Sequence, residues 1–65
     1  MTYIAIIIWE SVSTGKKVAN VIEDYENYHP KYFEDIEQIR ESINPNFPFE
    51  SVLCINLETL EVEEL

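Results

Sequence analysis

Three short stretches of this chain hold residue types that do chemistry in other proteins, and each lacks something the chemistry requires. Gly15-Lys16-Lys17 ends like a phosphate-binding loop, but that loop also needs an upstream glycine and a Ser or Thr after the first lysine, and neither is present. The stretch is expected to be a hairpin turn. His29 could act as a general base with Glu26 or Asp35 as its orienting carboxylate. A lone histidine before Pro30 more commonly sits in a loop or caps a helix, and that is the reading adopted. Cys54 would need a neighbouring base or a helix N-terminus to become a nucleophile. Inside an alternating apolar segment it is expected to be buried as a small hydrophobe. No catalytic residue is assigned, and the chain is not expected to be an enzyme.

A metal or cofactor is not expected either. His29 and Cys54 are the only soft ligands, whereas zinc sites take four, usually Cys or His. The carboxylates fall into three groups: Glu23, Asp24 and Glu26; Glu34, Asp35, Glu37 and Glu41; and Glu58, Glu61, Glu63 and Glu64. None follows the Asp-x-Asp-x-Asp-Gly order of a calcium loop.

These carboxylates are the dominant feature of the composition. Thirteen Asp and Glu against four Lys and Arg give a formal charge of −9 on 65 residues. Nucleic acid and anionic lipid are held through Lys and Arg, so neither is an expected direct partner. A charge-steered partner should be a protein with a basic surface, met by carboxylates standing where phosphates would otherwise be. The second group, Glu34, Asp35, Glu37 and Glu41, is the candidate partner-binding face. The plainer alternative is a solvated face that keeps a small protein in solution.

The elements that must position these residues follow from apolar spacing. Thr2 to Trp9 is nearly all β-branched or aromatic, with Ile4, Ile6 and Ile8 on one side and Tyr3, Ala5, Ile7 and Trp9 on the other, which predicts a strand. Ser11 to Lys16 supplies turn chemistry with the chain's single glycine. The return segment, Lys17 to about Glu23, fits a strand by its branched residues and a helix by the spacing of Val18, Val21, Ile22 and Tyr25; a strand is preferred. A helix is expected from about Pro30 to Ile43, with Pro30 in its first turn, Phe33, Ile36, Ile39 and Ile43 inward and Glu34, Glu37, Gln38 and Glu41 outward. Asn44 to Phe49 should be a connecting loop. Ser51 to Leu57 reads as a strand, Glu58-Thr59 as a turn and Leu60 to Glu63 as a short last strand.

That order gives an α+β fold, residues 1–65 forming one domain of ββαβ(β) type, with the helix packed on one face of an antiparallel sheet. No apolar run approaches the ~20 residues that span a bilayer. The start Met-Thr-Tyr-Ile carries no cation and no cleavage site follows, so a cytoplasmic location, in a cell or a host cell, is expected. One cysteine allows no internal disulfide, and a core from so short a chain is thin, which leaves tight packing or self-association as the stabiliser.

The first strand is apolar on both sides, yet one helix can cover only one. Tyr3, Ile7 and Trp9, or their isoleucine counterparts, are therefore the candidate surface for self-association or for a partner. The leading functional expectation is a small acidic, non-enzymatic protein-binding module, an inhibitor of a basic or nucleic-acid-handling protein of the kind common among phage and mobile elements. The rival is a structural or assembly subunit, a homodimer or higher oligomer built on the apolar sheet face, its acid serving solubility only.

Overall fold

A computed structural model describes residues 1–46 and 49–65. The expected connecting loop is described at Asn44 to Asn46 and at Phe49; its Phe47-Pro48 step lies outside the described residues. The chain is α+β. Its elements are β1 (Tyr3–Glu10), β2 (Lys17–Val21), β3 (Glu23–Asp24), β4 (His29–Pro30), α1 (Ile36–Ser42), β5 (Ser51–Asn56) and β6 (Val62–Glu64). Four strands form one antiparallel sheet in the order β2-β1-β5-β6, and β3 pairs with β4 in a separate two-stranded ladder.

The apolar strands take the middle of the sheet, where both edges can be paired. β1 runs against β2 from Ile6↔Val21 to Glu10↔Lys17 and against β5 from Tyr3↔Asn56 to Ile8↔Ser51. The turn between β1 and β2 closes with Gly15 at φ 70, a left-handed value that glycine adopts without steric cost, and the Gly15 N–H donates to the Ser11 carbonyl at 2.8 Å. The return segment is thus a strand, as expected.

Side-chain alternation decides where the core lies. Along β5 every second residue is buried, at Val52, Cys54 and Asn56. Their partners on β1 are Ile7, Ala5 and Tyr3. The buried cluster is Ala5, Phe33, Ile39, Val52 and Cys54, with Tyr3, Ile22, Ile36, Ile43, Phe49 and Leu65 packed against it. It therefore joins three isoleucines of the helical segment to the Tyr3-Ala5-Ile7 side of the sheet. Asn56, also buried, accepts from the Glu58 and Thr59 N–H groups through Oδ1 and so fixes the turn into β6.

The helix begins later than its sequence pattern implies. It spans Ile36–Ser42, not Pro30 to Ile43. Beyond Ala5, whose carbonyl accepts from the Ile22 N–H at 2.8 Å, the edge of β1 is completed by Phe33, which exchanges both backbone bonds with Tyr3 at 2.8 and 2.9 Å; Lys31 N–H donates to the Ile22 carbonyl at 2.8 Å and so leads the chain back to this edge. Leaving those groups buried and unpaired would cost more than a few helical residues return. Phe33 enters the core from extended backbone, so its apparent helical spacing is coincidental. Asp35 then caps α1, accepting from the Gln38 N–H at 2.9 Å while the Gln38 side chain accepts from the Glu34 N–H at 3.0 Å, a reciprocal arrangement of the capping-box kind. Replacing Asp35 by Ala is expected to cost about 1 kcal/mol, read as a lower urea midpoint; an unchanged midpoint would show that the cap carries no stability.

Two smaller differences share one cause. β5 stops at Asn56 and β6 starts at Val62, one residue earlier and two later than expected. Leu60 adopts φ 63, a left-handed conformation that ends the turn and cannot belong to a strand.

Candidate binding surfaces

The structure brings together few of the residues with chemical potential. Cys54 is 1% exposed within the core cluster. Burial pushes its thiol pKa up, with the Glu63 carboxylate adding to the effect and Arg40 opposing it. The native chain should therefore react with a disulfide reagent on the order of tenfold or more slowly than the chain in denaturant. Equal rates would place the thiol at the surface.

His29 sits in β4, its Nδ1 donating to the Pro30 carbonyl at 2.6 Å and its ring 5.2 Å from that of Tyr32. It is neither loop nor helix cap. Glu26 and Asp35 make no hydrogen bond to it. Gly15-Lys16 occupies the hairpin turn, and Lys17 pairs with Glu50 at 3.1 Å, an exposed contact of small energetic weight. Among the described residues no three of His, Cys, Asp and Glu converge to hold a metal ion, and no helix is long and apolar enough to cross a membrane.

The acidic group expected to meet a partner lies around α1. Glu34, Asp35, Glu37 and Glu41 are all exposed. Asp35 is committed to the cap, whereas Glu37 and Glu41 stand one turn apart on the same side of the helix. Among the described residues none of the four forms an ion pair; the bridges present are Met1 with Glu58 and Lys17 with Glu50. Two cations stand nearby without pairing to them, Arg40 in the last turn of α1 and Lys31 along the same shallow groove as Glu41, so the negative field of the group is reduced but not cancelled. Ile39 anchors the opposite side of the same helix in the core, so the carboxylates are held on a fixed platform.

The apolar candidates divide. Tyr3 packs against the core, and Ile7 and Trp9, both half-buried, line a cleft of about 520 Å³ together with Ile43 and Phe49. Its polar lining includes Asn20, Glu23 and Ser42, and the Ser42 hydroxyl donates to the Ile39 carbonyl at 2.9 Å. This is the core side of the sheet. The opposite side carries Ile4, Ile6 and Ile8 of β1, Leu53 and Ile55 of β5 and Val62 of β6, paired in register, and all of them lie outside the core cluster. Of the two sides, Ile39 of α1 shares a cluster with residues of the Tyr3-Ala5-Ile7 side, and none of the isoleucine-side residues belongs to that cluster.

A further feature escapes the sequence pattern. Between Ile22 and Lys31 the chain leaves the sheet as the β3-β4 arm, and its tip shows Tyr25 and Tyr28 to solvent at 85% and 92% exposure. Asp24 builds that tip: its carboxylate accepts from the Glu26 N–H at 3.0 Å and from the Asn27 side chain at 2.9 Å, and its carbonyl accepts from the Asn27 and Tyr28 N–H groups. Tyr28 takes φ 56, the left-handed position of the turn. The Asp24-x-x-Asn27 spacing was the available signal, since Asx residues bond backbone two positions on. The Asn27 hydrogen bond holds the Asp24 carboxyl below its usual pKa of 3.8. With the folded value depressed, its contribution to the tip is present above the ordinary carboxylate range and is lost as pH falls through the lower folded value. The Glu26 amide resonance should titrate with a midpoint below 3.8; a midpoint at or above that value would remove the carboxylate from the turn.

No protein-family model matches the chain, and no curated protein or solved structure matches it.

Proposed function

We propose that the chain is a non-enzymatic protein-binding module that acts by stoichiometric contact, presenting the carboxylates around α1 to a basic surface of another protein. The observation that carries this reading is that Glu34, Glu37 and Glu41 are exposed and, among the described residues, in no ion pair, with an Ile39 anchor behind them. A folded helix presents these charges without a backbone-ordering cost at binding, and a net charge of −9 steers encounter.

A basic surface able to take several carboxylates is of the kind that holds phosphates in other proteins. The partner class is accordingly a basic or nucleic-acid-handling protein, and the effect on it is inhibition by occupation of that surface. Such work belongs in the cytoplasm of a cell or a host cell and suits a phage or mobile-element product.

The test is affinity capture from a bacterial lysate on immobilised chain, with a low-salt wash followed by a high-salt step. A single basic protein released by salt, whose nucleic-acid binding the free chain then blocks, is the expected result. An empty capture, or a partner that resists salt and still binds its nucleic acid, would overturn the reading.

A further inference from the structure

The core side of the sheet is longer than the helix beside it. β1 has 8 residues, about 27 Å at a rise of about 3.4 Å each, whereas α1 has 7, about 10 Å at a rise of about 1.5 Å each. The buried cluster reaches Ala5 but includes neither Ile7 nor Trp9. At that end lies the cleft of about 520 Å³, within the roughly 300–1,000 Å³ of sites that hold small ligands. Three segments converge on it: Ile7 and Trp9 from β1, Glu23 and Tyr25 from the β3-β4 arm, and Ser42 and Asn44 at the end of α1.

The charge of this cleft has one sign. Glu23 is the only charged residue in the lining; it is exposed and, among the described residues, in no ion pair. Lys31 follows Pro30, the ladder partner of Glu23, but its ammonium lies 5.5 Å from the centre of the Phe33 ring, and it lines the shallow groove instead. The cleft lining also holds the aromatic side chains of Trp9, Tyr25 and Phe49. Its neutral polar groups can accept: the Ser42 hydroxyl donates its proton to the Ile39 carbonyl, and Asn44 Oδ1 takes one bond, from the Asn46 N–H, so each oxygen keeps a lone pair.

We infer that this cleft receives an arginine side chain presented by the basic partner protein. A neutral apolar group would leave Glu23 unanswered, and an anion would meet both that carboxylate and a net charge of −9. A guanidinium answers every feature of the lining. Its weakly hydrated plane stacks on aromatic faces, its donors suit carboxylate, amide and hydroxyl oxygens, and its aliphatic stem lies against apolar walls. A lysine ammonium is a compact, strongly hydrated charge that cannot stack as a plane. Ser42 lines both the cleft and the shallow groove that holds Glu41, so the cleft adjoins the acidic side of α1. The inference rests on the proposed function for the source of the arginine, and on the cleft alone for its recognition.

Trp9 is the single tryptophan of the chain, so its emission reports from the cleft itself. The probe is a tripeptide blocked at both ends, Ala-Arg-Ala, beside the same peptide with lysine or with citrulline, the neutral isostere of arginine, in the middle. The arginine peptide should change the emission saturably, with half-saturation about fivefold higher for lysine and about tenfold higher for citrulline. Glu23→Gln should raise half-saturation for the arginine peptide about fivefold, and Tyr25→Ala about threefold, both with native circular dichroism because both side chains are exposed. Glu37→Gln makes the same change in charge on α1 and should leave it within about twofold. No saturable change, a citrulline peptide that binds as well as the arginine one, or equal losses in Glu23→Gln and Glu37→Gln would overturn the inference. A defined peptide needs no partner, which separates the two readings. A captured protein that is released by salt yet binds the Glu23→Gln chain at full strength would remove the arginine site and leave the role of α1 standing; saturable peptide binding with an empty capture would do the reverse.

Discussion

Ile39→Ala is expected to cost about 2–5 kcal/mol, enough to leave a large fraction of so small a chain unfolded. Ile39 is 0% exposed and is the buried residue of α1. It is also the side chain that ties the helix to Ala5, Val52 and Cys54 on the two central strands. Truncation removes three side-chain carbons from the middle of the cluster and leaves a cavity that the surrounding side chains close only in part. Ile36→Ala, at a half-buried position on the same helix, should cost clearly less. Urea unfolding of the two variants beside wild type measures both. A loss below about 1 kcal/mol for Ile39→Ala would mean that α1 is not anchored through this residue.

The second large effect concerns the carboxylates. Reversing Glu34, Glu37 and Glu41 to Lys changes the charge by two units at each site and moves the formal net charge from −9 to −3. All three are exposed and without ion pairs, so stability should change little. Binding to a basic partner should fall by a hundredfold or more, since three attractive contacts become repulsive ones across a complementary surface. The matched control is reversal of Glu58, Glu61 and Glu63, which makes the same change in net charge at the turn and edge strand opposite α1 in sequence. It is expected to reduce the association rate and little else, because distant charge steers encounter without making contact. Equal losses in the two variants would assign binding to bulk charge and not to the helix.

Much of the fold could be read from residue pattern, for a reason specific to each element. β1 is unmistakable because seven successive residues, Tyr3 to Trp9, are branched, aromatic or small apolar, and the β1-β2 turn because one glycine sits where a left-handed φ is needed. β5 is legible from strict alternation, buried at Val52, Cys54 and Asn56. The apolar spacing runs past the true start of α1 because helical periodicity can be imitated: Phe33 lies three residues before Ile36 and faces the same core, yet it arrives there on backbone that pairs with Tyr3. Which residues complete the edge of β1 depends on a contact thirty positions away, and local spacing carries no trace of it.

The surfaces were legible to a different degree. Charge and exposure go together, so Glu34, Asp35, Glu37 and Glu41 stand at the surface as their type implies, although Asp35 turned out to serve the helix first. The open side of the sheet could not be chosen from sequence, because β1 is apolar on both sides and the choice is made by where Ile39 reaches. The tyrosine tip at Tyr25 and Tyr28 stayed hidden because residues 17 to 28 read as one segment, while the chain in fact breaks at Ile22 into two ladders.

The central claim is that the acidic side of α1 holds another protein by charge. Calorimetric titration of the captured partner with wild-type chain at about 50 mM and about 500 mM salt tests it most directly, because exposed charge contacts are screened over that range. Affinity should fall at least tenfold as salt rises, in a one-to-one ratio of chain to partner site. Affinity that holds or rises with salt would contradict the claim and assign the contact to an apolar surface instead.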